Sequence, residues 1–508
     1  MAAHAAGLEA AGAVAVGLML RLRTGHGIRI ETSLLAGGLT MFPEGLVNVE
    51  GKNTMAGFDV DKFPLGNFPV FRVYKASDHY FALACGNEQF WYRLCLTIER
   101  PEFIGDPRLE GAPWAIAPDG RQYLQDELER IFAERPRDEW LALLRAADVP
   151  VAPTLEGEAF LHTEQVLANG MRIQVEDLTL GVTEQVGPPI RLERTPAEVF
   201  AGAPLPGARS AAPPPAAAHT PASALPSRPL EGVRIVNLSG YIAGAYAPTL
   251  LAELGAEVIK VESRGGDPFR PLGWSFATFN RGQRVMVLDL KHAEARGIVL
   301  DLVRDADVVV ENYRPGTAKR LGLDYDTLAA TNPGLIYLSA YAYGSRGPRS
   351  GDPGFDTLLQ AESGVMQAQG GRGAAPVYYT SSVCDYTTAA LGAVGVMFAL
   401  FERERSGEGQ HIESALMNAG LALQTGNLVL SKATGAVNRG GRDLRGLSPL
   451  YRYYRCAGGW LFLDARTPGR FQALQDVLAG VAFPDHECAL AQAVDAPLAS
   501  AISAATVG

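Results

Sequence analysis

The sequence has few cysteines, no excess of basic residues, and no basic residue ahead of its apolar N-terminus. No two of its five cysteines form a C-x-x-C pair, which argues against structural zinc or a disulfide framework and favours a reducing compartment. With 45 basic and 55 acidic residues, the net charge of −10 argues against nucleic acid as the main partner. We expect no apolar run to be long and pure enough to span a membrane, and the N-terminus lacks the basic start of a signal peptide. These absences predict a cytoplasmic protein with no metal site and no membrane partner.

A long internal repeat runs through the chain. TGHGIRIETSLL, which starts at Thr24, matches SGEGQHIESALM, which starts at Ser406, at an offset of 382 positions. FPVFRVYKASDHYFAL from Phe68 matches SPLYRYYRCAGGWLFL from Ser448 at an offset of 380. Agreement over two separated stretches indicates a duplicated domain, since solenoid repeats are far shorter. The apolar N-terminus is therefore the counterpart of an internal helix, and we interpret it as a core helix.

The repeat predicts four segments. Residues 1–205 form the C-terminal half of a first copy, which ends in a small α+β domain. Residues 206–228 are an Ala- and Pro-rich linker without apolar periodicity. Residues 229–435 form a doubly wound domain, and residues 436–508 are the start of a second small domain. We expect this last segment to be truncated.

Strands and helices alternate after residue 232. Five β-rich runs (VRIVNL, EVIKVE, VMVLDL, DVVVEN and LIYLSA) have helical segments between most of them, namely Ala245–Leu254, His292–Arg304 and Tyr325–Ala330. This pattern predicts a parallel sheet in an α/β domain. Ligands of such sheets bind at the carboxyl ends of strands. The loops after Leu238, Glu262, Leu288 and Val310 are thus candidate binding loops.

The first 205 residues give weaker patterns. Residues 1–35 suggest a helix, a glycine turn and a strand, and alternation over 68–83 suggests a hairpin. Residues 121–147 have helical periodicity with a break near Pro136, and DVPVAPT at 148–154 suggests a stiff connector. We assign core packing to a group of aromatic residues: Phe90, Trp91, Tyr92 and Trp140.

Asp385 precedes the long apolar run Ala389–Phe401. Its residue type and position favour a helix N-cap, which accepts backbone N–H groups that the helix leaves unpaired. A helix N-terminus also stabilises an ionised carboxylate, and a fixed carboxylate can be a covalent nucleophile. The equivalent position of the first copy is Ala3, so only the second copy carries this carboxyl group.

Together with the stretch around Asp385, several motifs in order resemble the class III CoA-transferases. These motifs are PLEGVRIVNLSGYIAGAYAPTLLAELGAEVIKVES, FNRGQRVMVLDLK, ADVVVENYRPG and PGFDTLLQAESG. The resemblance implies a doubly wound large domain, a smaller α+β domain and a homodimer of interlocked rings. It also implies transfer of CoA from an acyl-CoA to a free carboxylic acid through an aspartyl anhydride and an aspartyl-CoA thioester.

The resemblance assigns roles residue by residue. The family's catalytic aspartate corresponds to Asp385, and CoA is a co-substrate, with no permanently bound cofactor. An arginine with which the family contacts CoA after the second strand is replaced by Ser263. The other CoA contacts of the family correspond to Ile242, Ala243, Leu288, Lys291, Asn312, Tyr313 and Arg320.

Two alternatives remain open. The first is an isomerase like the 2-methylacyl-CoA racemases of the same family, in which a histidine works with the aspartate as an acid–base pair. Phe355 occupies that position here and cannot move protons. The second is a non-catalytic CoA-binding fragment, suggested by Ala3 and by the incomplete second copy. A formyl or oxalyl substrate is not supported, because the expected glycine run is reduced to Gly440-Gly441. The identities of the acyl donor and of the acceptor acid cannot be read from the sequence.

Overall fold

The structure is a computed structural model that describes residues 1–44, 48–49, 52–53, 64–66, 68–207, 224–371, 373–432, 435, 446–456 and 459–478. It forms two compact units, Met1–Val365 with Tyr378–Ala436, and Met366–Val377 with Val437–Gly508. The helices are α1 Ala2–Thr24, α2 Leu34–Thr40, α3 Glu88–Thr97, α4 Pro118–Phe132, α5 Arg137–Ala146, α6 Gly157–Leu161, α7 Glu164–Ala168, α8 Ala243–Glu253, α9 Trp274–Asn280, α10 Ala293–Arg304, α11 Thr317–Leu321, α12 Tyr325–Ala329, α13 Asp356–Glu362, α14 Val365–Gly370, α15 Val383–Ser406, α16 Leu416–Ala422 and α17 Pro468–Val477. The strands are β1 Asn48–Val49, β2 Lys52–Asn53, β3 Phe71–Lys75, β4 Tyr80–Ala84, β5 Val151–Pro153, β6 Arg172–Asp177, β7 Gly181–Val186, β8 Arg191–Leu192, β9 Arg234–Asn237, β10 Glu257–Glu262, β11 Gln283–Val287, β12 Val308–Glu311, β13 Ile336–Tyr341, β14 His411–Ala415, β15 Gly446–Ser448, β16 Tyr451–Cys456 and β17 Gly459–Asp464.

A seven-stranded sheet organises the first compact unit. Its order is β11-β10-β9-β12-β13-β14-β8, and every neighbouring pair is parallel except β14 with β8. The five strands and three helices predicted after residue 232 are confirmed, with ends that differ by at most three residues. Val308 and Val310 of β12 enter one hydrophobic core, whereas Val309 enters another. Helices therefore cover both faces of a largely parallel sheet.

Helices α1 and α15, which are the two copies of the repeated helix, pack against each other. A Cβ atom on Gly12 would lie 3.0 Å from the Met397 side chain, so glycine allows the close approach of the two helices. Both helices end at a glycine with positive φ, Gly25 at 78° and Gly407 at 76°, as the repeat predicts. By length and composition both helices could cross a membrane, contrary to the expectation from the sequence. Helix α15 is largely buried inside the protein, which accounts for its apolar composition.

Small residues in α15 explain how it lies on the sheet. A Cβ atom on Gly392 would come within 2.9 Å of Leu338 on β13, and one on Gly395 within 2.9 Å of Ile412 on β14. Larger residues at these positions would push the helix away from the strands. The small residues that interrupt the apolar run thus fix the position of the helix that carries Asp385.

A small sheet, β3-β4-β5, packs with α3, α4 and α5 in residues 68–153. The predicted hairpin and the helix break near Pro136 are confirmed. The prediction of a connector at 148–154 is wrong in part, because Val151–Pro153 pairs with β4 as a strand. The predicted strand in residues 1–35 is also wrong. Residues 26–33 belong to no helix or strand, and in the described part of the chain no strand pairs with them, whereas a strand requires a neighbour for its N–H and C=O groups.

The repeated hairpins share their internal contacts. In the first compact unit the Tyr74 hydroxyl donates to the Pro69 carbonyl at 2.6 Å. In the second compact unit the Tyr454 hydroxyl donates to the Pro449 carbonyl at 2.7 Å. In both hairpins the guanidinium of the arginine two residues before the tyrosine lies over the tyrosine ring. The repeat inferred from the sequence is therefore reproduced in hydrogen bonding.

Candidate active site

Three carboxyl groups meet at the N-terminal end of α15. Asp385 is the third residue of this helix. Asp356, at the start of α13, accepts hydrogen bonds through Oδ1 from the backbone N–H groups of Cys384, at 2.7 Å, and Asp385, at 3.3 Å. Glu44 accepts a hydrogen bond from the Tyr386 hydroxyl at 2.6 Å. Residues far apart in the chain therefore contribute acidic groups to one place.

All three carboxyl groups have raised pKa values. Burial raises the pKa of Asp385 well above its usual range, and the nearby carboxyls of Asp356 and Glu44 add to the rise. Burial raises the pKa of Asp356 to about 7, against the opposing effect of its hydrogen bonds. Burial also raises the pKa of Glu44, although two hydroxyl groups donate to it. The surroundings therefore disfavour the ionised form of each of these carboxyls relative to the same group in water.

Gln360, which lies on α13, holds the cluster in place through hydrogen bonds. Its Nε2 donates to Oδ2 of Asp356 and to the carbonyl oxygens of Tyr379 and Ser381, the latter two at 3.1 Å. Its Oε1 accepts the Tyr379 backbone N–H at 3.1 Å. Both side-chain ends of Gln360 are therefore used to hold the segment that leads into α15.

The prediction that Asp385 caps its own helix is wrong. The N-cap is Ser382, which makes no capping hydrogen bond, and the free N–H groups are accepted by Asp356 from a neighbouring helix. Burial and the carboxyls of Asp356 and Glu44 raise the pKa of Asp385, which opposes the stabilisation of its ionised form by the helix N-terminus. Asp385 also lines a cavity.

That cavity has a volume of about 400 Å³. Ile242, Ala243, Asn312 and Tyr313, four of the predicted CoA contacts, line it together with Asp385. Of the described residues that line it, five lie between positions 68 and 114, Glu44 precedes them, and the others lie between positions 241 and 416. Both copies of the repeat therefore contribute to one cavity within a single chain.

A second cavity of about 420 Å³ lies at the carboxyl ends of β9, β10, β11 and β12. The predicted contacts Leu288 and Lys291 line it, and Asn312 and Tyr313 line both cavities. All four loops predicted from the sequence contribute residues to its wall. The two cavities are thus neighbours that share part of their walls.

Arg320 lies outside both cavities. It is exposed on α11, and its guanidinium donates to the Thr317 hydroxyl at 2.8 Å, while the next residue, Leu321, does line the second cavity. Its assignment as a phosphate contact stays a prediction. Lys291 is exposed at the edge of the second cavity, so its amino group is accessible to a ligand.

A buried ion pair forms part of the second cavity. Lys260 Nζ lies 2.8 Å from Asp267 Oδ2 and donates to the Ser239 carbonyl at 2.8 Å. The lysine side chain is 1% exposed and the aspartate side chain 0%. Sequence reasoning missed this pair, because a lysine inside an apolar strand gives no signal of its partner.

Sequence reasoning also missed Glu44 and Asp356. Glu44 lies in a segment with no motif, and the motif that contains Asp356, PGFDTLLQAESG, gives no role to that aspartate. The assignment of Phe90 to core packing is incomplete because its ring also lines the first cavity. Trp91 and Trp140 are buried as predicted. Tyr92 is exposed, so its assignment to the core is wrong.

Comparison with known proteins gives consistent matches. The profile of CoA-transferase family III matches residues 1–210 and 230–507. A succinate–glutarate CoA-transferase of Agrobacterium fabrum is 36% identical over 277 residues, which cover 51% of this chain and 68% of that enzyme. A succinyl-CoA:mesaconate CoA-transferase of Haloarcula hispanica is 35% identical over 268 residues, which cover 49% of this chain and 67% of that enzyme. A solved structure of a CAIB/BAIF family protein from Brucella suis is 30% identical, with a TM-score of 0.49, over 55% of this chain and 79% of that one.

Proposed function

The chain belongs to CoA-transferase family III, and on this premise we propose that it moves CoA from an acyl-CoA to a free carboxylic acid. One observation supports the proposal most directly. Asp385 lines a cavity that shares Asn312 and Tyr313 with the cavity at the strand ends. A thioester with its nucleotide at the strand ends could therefore present its carbonyl carbon to this carboxyl group.

Asp385 acts as the nucleophile in this proposal. Its carboxylate attacks the thioester carbonyl carbon, the C–S bond breaks, and CoA leaves as the thiolate while a mixed anhydride forms. The thiolate then attacks the Asp385 carboxyl carbon, which releases the donor acid and leaves an aspartyl-CoA thioester. The acceptor carboxylate attacks this thioester to give a second anhydride, and the returning thiolate forms the new acyl-CoA and restores Asp385.

The raised pKa of Asp385 sets a condition on this reaction. Only the carboxylate is nucleophilic, so the side chain must lose its proton before attack. Adduct formation should therefore become faster as the pH rises through the pKa of Asp385. The two neighbouring carboxyls should move the ionisation of Asp385 to higher pH, because negative charges repel each other.

CoA would be held by the residues that the structure gathers at the two cavities. Ile242, Ala243, Asn312 and Tyr313 border the path to Asp385, and Lys291 supplies an exposed cation for a phosphate group. The scattered cysteines of the sequence support a cytoplasmic location. A homodimer of interlocked rings is proposed from the family resemblance, and gel filtration of the purified chain tests it.

Hydroxylamine trapping tests the proposed function. The protein is incubated with candidate acyl-CoAs, treated with hydroxylamine, digested and analysed by mass spectrometry. We expect an aspartyl hydroxamate at position 385 that is absent from Asp385→Asn. Asp301→Asn, which changes an exposed aspartate on α10, is the matched control and should keep the adduct.

Three results would contradict the proposal. Modification at another residue would contradict Asp385 as the nucleophile, and no adduct with any donor although CoA binds would favour the non-catalytic alternative. Exchange of the α-hydrogen of an acyl-CoA without an acceptor acid would favour the isomerase. The described part of the chain places no histidine on the wall of the first cavity, which supports the transferase over that isomerase.

A further inference from the structure

Aromatic rings dominate the wall of the first cavity. The Phe355 ring makes edge-to-face contacts with Phe71, Phe90 and Tyr241, at centroid distances of 5.7, 6.1 and 6.1 Å. The ring of Trp114 lies 5.3 Å from that of Phe71. All five residues line the cavity beside Asp385. We call these five residues the aromatic wall.

Positive charge is nearly absent from the same cavity. Arg314 is the only cationic residue among the described residues that line it, and its guanidinium lies 3.0 Å from a carboxylate oxygen of Asp148. In the same described set, four acidic residues line the cavity: Glu44, Asp352, Asp356 and Asp385. Among the described residues, a second carboxylate on the bound acid would therefore find acidic groups, aromatic rings and neutral polar groups such as Asn87 and Ser350, but no unpaired cation. Burying an unpaired charge is costly, so a dicarboxylate is disfavoured.

The acidic groups are themselves already engaged. Glu44 accepts from two hydroxyls, those of Ser275 at 2.7 Å and of Tyr386 at 2.6 Å. Asp352 Oδ2 lies 2.8 Å from Arg349 Nε. Asp356 accepts the backbone N–H groups at the start of α15. Aromatic rings can also hold a quaternary ammonium group, but of the four acidic residues described on this wall, only the proposed nucleophile would be left to pair with such a cation.

We propose that the acid handled at this site is an apolar monocarboxylic acid, with a ring or branched hydrocarbon chain that packs on the aromatic wall. This inference rests on the proposed function and specifies its substrate class. It differs from the acids in the names of the compared relatives, succinate, glutarate and mesaconate, which carry two carboxylates. Rings on the wall would favour a further ring in an edge-to-face arrangement.

Identity exchange tests the substrate class with one acid at a time. The full chain is incubated with phenylacetyl-CoA and ¹³C-labelled phenylacetate, and label in the thioester is measured by mass spectrometry. Parallel reactions use succinyl-CoA with labelled succinate, and 4-trimethylammoniobutanoyl-CoA with its labelled acid. We expect kcat/KM for the phenylacetate pair to exceed the other two by about tenfold or more, because only that acid buries no additional charge.

A matched pair of variants tests the role of the wall. Phe355→Leu keeps an apolar residue but removes the central ring, and should lower phenylacetate exchange by about tenfold. Acetate exchange needs no ring contact, so the ratio of phenylacetate exchange to acetate exchange should fall by about tenfold, and a fall in this ratio separates substrate contact from misfolding. Tyr92→Leu on the exposed side of α3 is the control and should leave both exchanges unchanged.

The outcomes separate the two proposals. Faster exchange with succinate or with the trimethylammonium acid would overturn the substrate class and leave the transferase assignment standing. An equal loss of acetate and phenylacetate exchange in Phe355→Leu would overturn the role of the wall. No exchange with any pair, together with no adduct at Asp385, would overturn the proposed function and this inference with it.

Discussion

Asp356 is expected to hold the start of α15 in place, and its removal gives the sharpest structural prediction. Asp356→Ala deletes the acceptor of the 2.7 Å hydrogen bond from Cys384 and of the 3.3 Å bond from Asp385. A buried donor left without a partner costs about 1–3 kcal/mol. The longer bond should count for less than the shorter one. We therefore expect the free energy of unfolding at pH 5 to fall by about 2–5 kcal/mol.

The pH dependence of this loss follows from the raised pKa. The ordinary pKa of an aspartate carboxyl is 3.8, and the pKa of Asp356 in the folded protein is about 7. Between these values the folded state binds the proton more tightly, so this group stabilises the fold at low pH. Its contribution disappears as the pH rises from about 4 to about 7. The cost of Asp356→Ala should thus be smaller at pH 8 than at pH 5.

Urea unfolding at both pH values measures this prediction. The exposed Asp301→Ala is the control, and its effect on the free energy of unfolding should be below about 0.5 kcal/mol at either pH. Adduct formation at position 385 should fall by about 100-fold in Asp356→Ala, because small displacements of a nucleophile are costly. A cost below about 1 kcal/mol at pH 5, or a cost that does not change with pH, would refute the reasoning.

Three further predictions use other parts of the structure. Glu44→Gln removes a charge that raises the pKa of Asp385, so the pH midpoint of adduct formation should move down; a midpoint that moves up would contradict this. Gly409→Ala should lower the free energy of unfolding in urea by about 3 kcal/mol or more, because the new Cβ would lie 1.9 Å from a backbone oxygen. Gly27 is the counterpart of Gly409 in the repeat and has open space around it, so Gly27→Ala should be nearly neutral. Equal costs would count against that contact. Lys260→Met leaves its buried aspartate partner without a cation and should cost about 3–5 kcal/mol by the same measurement; a cost near zero would show that the pair is not buried in solution.

Sequence patterns predicted the sheet well because its strands are short continuous runs of β-branched residues. Val308–Glu311 is buried throughout, and such a run between two helical segments has few alternative structures. The binding loops followed from the same pattern, since the carboxyl ends of parallel strands meet at one edge. The strand predicted in residues 26–33 was wrong for the opposite reason. Their sequence matches a strand of the second copy, but strand formation depends on a neighbour that pattern reading does not supply.

The site was predictable only where a motif marked it. Asp385 stood out by its place before a long apolar run, but its cap role was misassigned, because Asp356 reaches it from 29 positions away. Glu44 lies 342 positions from the tyrosine that donates to it. Local patterns carry no information about such contacts. The aromatic wall was missed for a similar reason, since a ring that faces a cavity and a ring that fills a core look alike in sequence.

The edge of the large sheet has a consequence for how the chain reaches its fold. Arg191 of β8 pairs with Glu413 of β14, so this edge strand can join the sheet only after some 222 further residues have been synthesised. Helix α1 likewise waits for α15 before its apolar face is covered. During translation the apolar face of α1 and the edge of the sheet stay uncovered until the later half is synthesised. We therefore expect the early half to bind chaperones that recognise exposed apolar segments.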